Sequence, residues 1–249
     1  MSSTVVLITG VGKGIGATLA RTYLTRPNHT VIGSVRDEST AGVAELKSFA
    51  TADNSKLLLV HIDSGSVDDP KKALTVVQGA GIEHVDVVIA NAGGYSTPSP
   101  IDSVGREELI GCFETNAAAP MLLFQTFKPL LQKASAPKWI VMSTSAGSIG
   151  YIGVIGSHFL SAYGASKAAL NWLTQAIHVT NDWLTVVALH PGLVQTGPGN
   201  WVAKHVGLEQ APTTIEDSAS SIVKLIDNAT RDGTSGKFIS ALEGTEIPW

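Results

Sequence analysis

The sequence has a single cysteine, Cys112, among 249 residues, which excludes a disulfide within the chain. It also has no apolar run near the roughly 20 residues that a membrane-spanning helix needs. The first apolar run, residues 5–8, is too short for the core of a secretory signal. We therefore expect a cytoplasmic protein that has no membrane partner.

Charge is scarce as well, since charged residues make up only 15% of the chain and the net charge is -4. The 17 basic residues are scattered and form no stripe, so we expect no nucleic-acid partner. The seven histidines are isolated, without the spacing to cysteines or acids that a metal site needs. We expect no metal, and we expect His190 and His205 to be structural or surface groups.

Apolar residues, in contrast, reach 44% of the chain, enough for a sheet that helices cover on both faces. Short β-branched runs alternate with helix-length amphipathic segments, a pattern typical of a mostly parallel sheet. We predict one domain over residues 1–249, an α/β Rossmann fold with a doubly wound, seven-stranded parallel sheet. The predicted strands are 4–9, 30–36, 56–62, 85–90, 139–143, 185–190 and 237–240. The predicted helices are 15–25, 41–50, 70–79, 106–132, 162–179 and 215–228, and Pro120 and Pro129 should bend the fourth or mark turns near its end.

A glycine-rich turn joins the first predicted strand to the first helix. Glycines there let backbone approach a ligand closely, and the N–H groups at the start of the helix can hold a pyrophosphate. With a second strand about 20 residues further on, the turn predicts a dinucleotide site. The residues that would bind are Gly10, Gly12, Lys13, Gly14, Ile15 and Gly16.

The end of the second strand indicates which dinucleotide binds. A carboxylate there would bind the adenosine ribose and repel a 2′-phosphate, but the chain has Arg36, with Lys13 in the glycine turn. These two cations favour NADP(H) over NAD(H). In the alternative interpretation, Arg36 is a solvated charge that Asp37 partly neutralises.

Polar residues follow the third and fourth strands, at the sheet edge where open α/β sheets bind ligands. Asp63 and Ser64 are candidates for contacts with the cofactor, Asp63 with its adenine. Asn91, Ala92 and Gly93 are candidates after the fourth strand. Alternatively, Asp63 caps the helix before Pro70, and the second group is simply a polar turn.

Tyr163 and Lys167 lie four residues apart in a predicted helix and therefore share one face. A lysine beside a tyrosine favours the phenolate, so the phenol could exchange a proton with a carbonyl compound. Taken alone, the pair would be an exposed polar pair without chemistry.

Together, these motifs resemble those of the short-chain dehydrogenase/reductase family over nearly the whole chain. Within the family, the chain most resembles the sniffer-like carbonyl reductases and the fungal norsolorinic acid ketoreductase-like enzymes. Residues 31–37 and the ending at 244–249 carry this closer resemblance. The motifs are T-G-x-x-x-G-x-G at 9–16, Asp63, N-A-G at 91–93, Asn116, Y-x-x-x-K at 163–167 and P-G-x-V-x-T at 191–196.

The resemblance implies a role for each of these residues. Tyr163 would be the general acid in carbonyl reduction, and Lys167 would lower the pKa of Tyr163 and hold the nicotinamide ribose. Asn116 would bind a water that links Lys167 to solvent. The nicotinamide carboxamide would be flanked by Pro191, Gly192, Val194 and Thr196.

The chain departs from the family after the fifth strand, where a serine usually polarises the carbonyl oxygen. The position that matches by spacing is Thr144, and Ser145 or, less favoured, Ser143 could serve instead. The segment from Thr144 to Tyr163 is also longer than usual, so the loop 147–161 should shape the substrate pocket.

A substrate lid is expected over residues 197–214. Within it, Trp201 either contacts substrate or anchors the loop. Similarly, Tyr95 either faces the substrate or covers the sheet edge.

The leading hypothesis is an NADPH-dependent carbonyl reductase for an apolar or aromatic ketone or aldehyde, assembled as a homodimer or homotetramer. One alternative is an NADP(H)-binding sensor or scaffold without turnover, which the presence of Tyr163, Lys167 and Asn116 disfavours. Another is a biosynthetic enzyme of this family that acts on an imine or a cyclisation substrate.

Overall fold

Seven parallel strands form one sheet in the computed structural model, which describes residues 3–95 and 97–249. All seven predicted strands are present, and the largest shift is at the fourth, which begins at Val87 rather than at residue 85. The strands are β1 Thr4–Thr9, β2 His29–Val35, β3 Lys56–His61, β4 Val87–Ala90, β5 Lys138–Met142, β6 Thr185–His190 and β7 Lys237–Ser240.

The sheet order is β3-β2-β1-β4-β5-β6-β7. Strands β2 and β3 are added on one side of β1 and strands β4 to β7 on the other, so the strand order reverses between β1 and β4. The predicted doubly wound fold is confirmed. Two apolar clusters cover the two faces, one built on Phe127 and Trp139 and the other on Leu19 and Ile222. Because every strand is parallel, the loops that follow the strands all lie at one edge, where a crevice opens at the reversal point.

The helices follow the predicted order, with differences at the ends and in number. The second is shorter than predicted and ends at Lys47. The bounds are α1 Gly14–Leu24, α2 Ala41–Lys47, α3 Asp69–Gly79, α4 Arg106–Phe113, α5 Ala119–Leu131, α6 Ile152–Ile155, α7 Ser161–Thr180, α8 Gly197–His205 and α9 Ile215–Asn228. None of the helices in the described ranges is long and apolar enough to cross a membrane.

The predicted helix 106–132 is interrupted by a π-helical turn, Glu114–Ala118, between α4 and α5. Within this turn the Ala119 N–H donates to the Glu114 carbonyl, five residues back. Pro120 contributes because it has no N–H to give to the Asn116 carbonyl. The interruption therefore lies at Asn116, and Pro129 remains inside α5.

Two short helices were not predicted. α6 follows a glycine-rich stretch, and α8 begins at Gly197-Pro198-Gly199 within the expected lid. Glycines and prolines there hide the helical signal, although proline is well suited to a first turn. The Thr196 hydroxyl caps α8 by accepting the Gly199 N–H.

Candidate active site

The turn after β1 is shaped for a bound anion. Gly10 and Gly14 have positive φ angles of 75° and 59°, and a Cβ at Gly16 would lie 2.3 Å from the Gly10 carbonyl oxygen. Among the described residues, no acceptor takes the N–H groups of residues 12–16, and the first turn of α1 has no acidic residue. These free donors fit a pyrophosphate at the start of α1.

The N-A-G turn after β4 packs directly against the glycine turn. The Asn91 side-chain amide donates to the Thr9 carbonyl at 2.8 Å, and the Ala92 N–H donates to the Thr9 hydroxyl at 2.9 Å. A Cβ on Gly10 would lie 3.2 Å from the Ala92 Cα. The Asn91 amide therefore supports the glycine turn, and the two loops form one wall of the crevice.

A pocket beside this wall includes the Asp63 and Ser64 positions. It is lined in part by Thr9, Ser34, Asp63, Ser64, Ala92 and Pro120. The Asp63 carboxylate accepts the Gly65 N–H at 2.8 Å and shapes its own turn. The structure gives it no cap on α3, contrary to the alternative interpretation.

Asp69 holds this turn from behind and was not singled out from the sequence. Its buried carboxylate accepts the Asp63 N–H at 3.1 Å and the Lys72 ammonium at 3.2 Å, and its backbone N–H donates to the Ser66 hydroxyl at 3.3 Å. The Asp63 N–H is the main reason that the pKa of Asp69 is lowered to about 2, with Ser66 and Lys72 adding to it. An acidic residue directly before Pro70 at a helix start was the available signal.

Arg36 and Lys13 are both exposed, and neither forms an ion pair with another described residue. Asp37, next to Arg36, is bonded instead to the N–H and hydroxyl of Ser39, at 2.8 and 2.6 Å. These bonds lower the pKa of Asp37. Asp37 is thus engaged with Ser39, and the guanidinium of Arg36 is open to an added anion.

Tyr163 and Lys167 share one face of α7, as their spacing predicts. The Lys167 Nζ lies 5.9 Å from the centre of the Tyr163 ring and donates to the Met142 carbonyl at 2.7 Å. Burial lowers the pKa of Lys167 to about 8. An ammonium that loses its proton near neutral pH can take part in proton exchange as well as in binding.

The pKa of Tyr163 differs from the expectation. The ring keeps some exposure, but burial around it raises the pKa to about 12, Cys112 adds to the rise, and the Thr144 side chain opposes it. The expected lowering by Lys167 is not seen because desolvation dominates and the ammonium is directed at Met142. Lowering the phenol pKa would require Lys167 to change its partner.

Asn116 is fully buried in the π-helical turn and joins the N-A-G loop to α7. Its amide donates to the Gly94 carbonyl at 2.9 Å and to the Ser166 hydroxyl at 3.0 Å, and its oxygen accepts the Gly94 N–H at 2.9 Å. A Cβ on Gly93 would lie 3.0 Å from the Asn116 Oδ1 and 3.5 Å from the Lys167 Nζ. The Asn116 side chain thus holds the N-A-G loop against α7, and the water that the family resemblance implies stays a prediction.

The three hydroxyls after β5 have different surroundings. The Ser143 hydroxyl is buried and donates to the Asn171 side chain at 2.6 Å. Thr144 and Ser145 are both partly exposed. Of the three, Thr144 is the residue whose side chain lowers the pKa of the Tyr163 phenol. The geometry therefore favours Thr144 among the three.

The 191–196 segment follows β6 and packs against the glycine turn. Gly192 has a φ of 91°, and a Cβ there would lie 2.5 Å from a Leu242 methyl. Val194 pairs with Thr213, so the two ends of the segment 197–214 lie close together. The Thr196 methyl is 3.7 Å from where a Gly14 Cβ would be, so this segment reaches the glycine turn.

The segment 197–214, which is expected to form a lid, meets the long loop before α7 through aromatic rings. His205, at the end of α8, stacks on Phe159 at 4.3 Å and on Trp201 at 5.2 Å between ring centres. Trp201 is 44% exposed, which leaves one side of its ring to solvent. We name Phe159, His205 and Trp201 the aromatic stack. No motif or spacing in the sequence indicated that His205 joins it.

The ending 244–249 anchors the start of the same loop. The Ser148 hydroxyl donates to the Pro248 carbonyl at 2.5 Å, and the Gly150 N–H donates to the Trp249 carbonyl at 3.1 Å. Trp249 in turn packs on Phe238 of β7. The long loop is therefore held at its base by this ending and at its far side by the aromatic stack.

Comparisons with known proteins agree with this geometry. The chain is 54% identical to the short-chain dehydrogenase srdF of Neurospora crassa, over 99% of this chain and 98% of the relative. It is 36% identical to the norsolorinic acid ketoreductase stcE of Emericella nidulans, over 99% and 94% of the two chains.

Among solved structures, an NADPH-bound carbonyl reductase from chicken fatty liver superposes with a TM-score of 0.86 at 27% identity, over 100% of both chains. The carbonyl reductase Sniffer of Drosophila melanogaster gives 0.84 at 27% identity, over 99% of this chain and 100% of that one. A family profile described as short chain dehydrogenase matches residues 4–206. The chain therefore belongs to the short-chain dehydrogenase family of oxidoreductases.

Proposed function

We propose that the protein is an NADPH-dependent reductase that converts a ketone or aldehyde to an alcohol, with Tyr163 as the proton donor. The observation that carries the proposal is the meeting of Tyr163, Thr144 and Lys167 at the sheet edge that also holds the free N–H groups of residues 12–16. Proton-donating and anion-binding groups thus share one crevice.

The residues present fit NADPH. The N–H groups after β1 suit its pyrophosphate, the pocket at Asp63 and Ser64 suits its adenine, and Arg36 with Lys13 suits its 2′-phosphate. The NADPH-bound carbonyl reductase among the structural neighbours supports this choice. When bound, NADPH supplies the hydride that the substrate carbon receives.

The chain's own residues supply the proton and the orientation. Tyr163, with a pKa of about 12, is protonated at neutral pH and gives its proton to the substrate oxygen. The Thr144 hydroxyl donates a hydrogen bond to the same oxygen and stabilises the negative charge that develops there. With NADPH bound, Lys167 would leave the Met142 carbonyl, hold the nicotinamide ribose and return a proton to Tyr163.

The substrate that we propose is an apolar or aromatic carbonyl compound. The loops at this edge expose large apolar side chains, among them Tyr95 at 63%, Val154 at 76% and Trp201 at 44%. Such surface suits a planar apolar ligand. The similarity to a norsolorinic acid ketoreductase supports a ketone as the group that is reduced.

We also propose a homodimer that pairs through α4 and α7. Phe113 on α4 is 49% exposed, and Trp172 and Val179 on α7 are 71% and 72% exposed. Trp172 and Val179 are seven residues apart and share one face of α7. A second copy of the chain would remove this apolar surface from water.

The proton donor is tested by Tyr163→Phe, which removes only the hydroxyl. We expect turnover with an aromatic ketone to fall about 100- to 10,000-fold, the usual contribution of a general acid. NADPH binding, followed by fluorescence titration, should remain. Tyr23→Phe is the matched control, because the buried Tyr23 hydroxyl makes no hydrogen bond with the described residues. Unchanged turnover in Tyr163→Phe would refute the assignment.

A further inference from the structure

The turn that presents Thr144 and Ser145 is tied to β6 by two hydrogen bonds. Regular pairing between β5 and β6 ends at Met142 and Leu189. Beyond it, the Ser143 N–H donates to the Leu189 carbonyl at 2.7 Å. The Ser145 N–H then donates to a side chain, the Nδ1 of His190, at 3.2 Å. One residue on each side of Thr144 is therefore anchored to β6.

The backbone of His190 is fixed independently of its ring. His190 pairs with Ser240 of β7, and its carbonyl accepts the Ala241 N–H at 2.9 Å. Removing the imidazole would leave this pairing and the Ser143 bond in place. The specific loss would be the partner of the Ser145 N–H, a partly buried donor directly after Thr144.

The imidazole is in the protonation state that this bond requires. An N–H donor needs an imidazole nitrogen with a free lone pair, which only the neutral ring has. Burial lowers the pKa of His190 to about 4, so the ring is neutral at neutral pH, with its proton on Nε2. The acceptor at Nδ1 is thus permanent under working conditions.

We propose that His190 is a positioning residue for the reaction: through Ser145 it fixes the turn that directs the Thr144 hydroxyl at the substrate oxygen beside Tyr163. This inference rests on the proposed carbonyl reduction. It gives His190, expected from the sequence to be only structural or a surface group, a measurable part in turnover.

The test uses two amide variants of the same polarity. The Oδ1 of asparagine is bonded to Cγ as Nδ1 is in histidine, so His190→Asn can accept the Ser145 N–H. His190→Gln carries its oxygen one bond further and cannot place it there. We expect His190→Asn to keep kcat within about 3-fold of the wild-type value, and His190→Gln to lose about 10- to 100-fold, as for a misplaced catalytic group. The KM for NADPH should stay unchanged in both.

A merely structural role would lower kcat and thermal stability to the same extent in both variants, and that result would overturn the proposal. The coupling to Thr144 gives a second measurement. In a Thr144→Val background, where the positioned hydroxyl is gone, His190→Gln should cost less than about 3-fold further, because neighbours in one network are not additive. A full, multiplicative loss would show that His190 does not act through Thr144.

Failure of the proposed function gives a different pattern. If Tyr163→Phe keeps full turnover, the reduction scheme itself is wrong, whatever His190 does. If Tyr163→Phe is inactive and Thr144→Val keeps full turnover, the scheme stands and the role of His190 through Thr144 is overturned.

Discussion

Arg36 is the residue on which the choice of cofactor depends. Its guanidinium is exposed at the end of β2 and has no ion-pair partner among the described residues, since Asp37 is engaged with Ser39. A charge-assisted hydrogen bond to a phosphate is worth about 1.5–3 kcal/mol. We therefore expect Arg36→Ala to weaken NADPH binding by about 10- to 100-fold and to leave NADH binding unchanged, as measured by calorimetric titration.

The matched control is Lys56→Ala, because Lys56 is exposed at the start of β3, the opposite end of the sheet from the crevice. It should change neither affinity. Equal weakening of NADPH and NADH by Arg36→Ala would show that Arg36 contacts a part common to both dinucleotides.

Residues that would touch ligands could be identified from the sequence because their type and spacing indicate their chemistry. Tyr163, Lys167 and Arg36 belong to this group. Asp69 and His190 act on the backbone of another loop, and which loop they meet depends on the path of the chain. The prediction that Lys167 lowers the pKa of Tyr163 was wrong for a related reason. The spacing shows that Lys167 is near, but neither the burial of the pair nor the bond to Met142 can be inferred from the spacing.

At the scale of elements, the strands and the long helices could be predicted from the apolar periodicity. The π-helical interruption and the short helix α8 could not. The π-helical turn at Asn116 arises from one proline and from the commitment of the Asn116 amide to Gly94 and Ser166. Neither contact has a periodic signature. α8 was missed because Gly197, Pro198 and Gly199 are typical of loops, yet the Thr196 cap is enough to begin a helix there.

The aromatic stack joins the segment 197–214 to the long loop, and this contact leads to a prediction about substrate size. His205 is the middle ring, so His205→Ala removes both contacts at once. Each aromatic pair contributes about 0.5–1.5 kcal/mol. We expect the KM for a polycyclic aromatic ketone to rise about 5- to 50-fold in steady-state assays, with little change for a small aldehyde.

Leu208→Ala is the control for this variant, since Leu208 is an exposed apolar side chain of the same segment outside the aromatic stack. Equal increases in KM for the large and the small substrate would show that the stack supports the loop in general and does not cover the substrate.

For the molecule as a whole, one parallel sheet explains why residues distant in sequence form a single site. The loops after β1, β4, β5 and β6 meet at one edge, and α7 brings Tyr163 and Lys167 to it. This arrangement was predictable from the alternation of strands and helices. The exposure of Phe113 and Trp172 could not be predicted, because a helix that is apolar on more than one side can be buried either in the core of its own chain or against a second copy of the chain.

Trp172 tests the assembly because it is a large apolar side chain of the pairing face and is 71% exposed. In a dimer that pairs through α4 and α7, Trp172→Glu would place a charge in an apolar contact, and an unpaired buried charge is strongly unfavourable. We expect the variant to sediment as a monomer at a concentration where the wild-type protein is dimeric. Val76→Glu, on an exposed position of α3, should leave the dimer intact, since α3 lies outside the proposed contact. A wild-type chain that sediments as a monomer, or a Trp172→Glu variant that stays dimeric, would exclude this face as the interface.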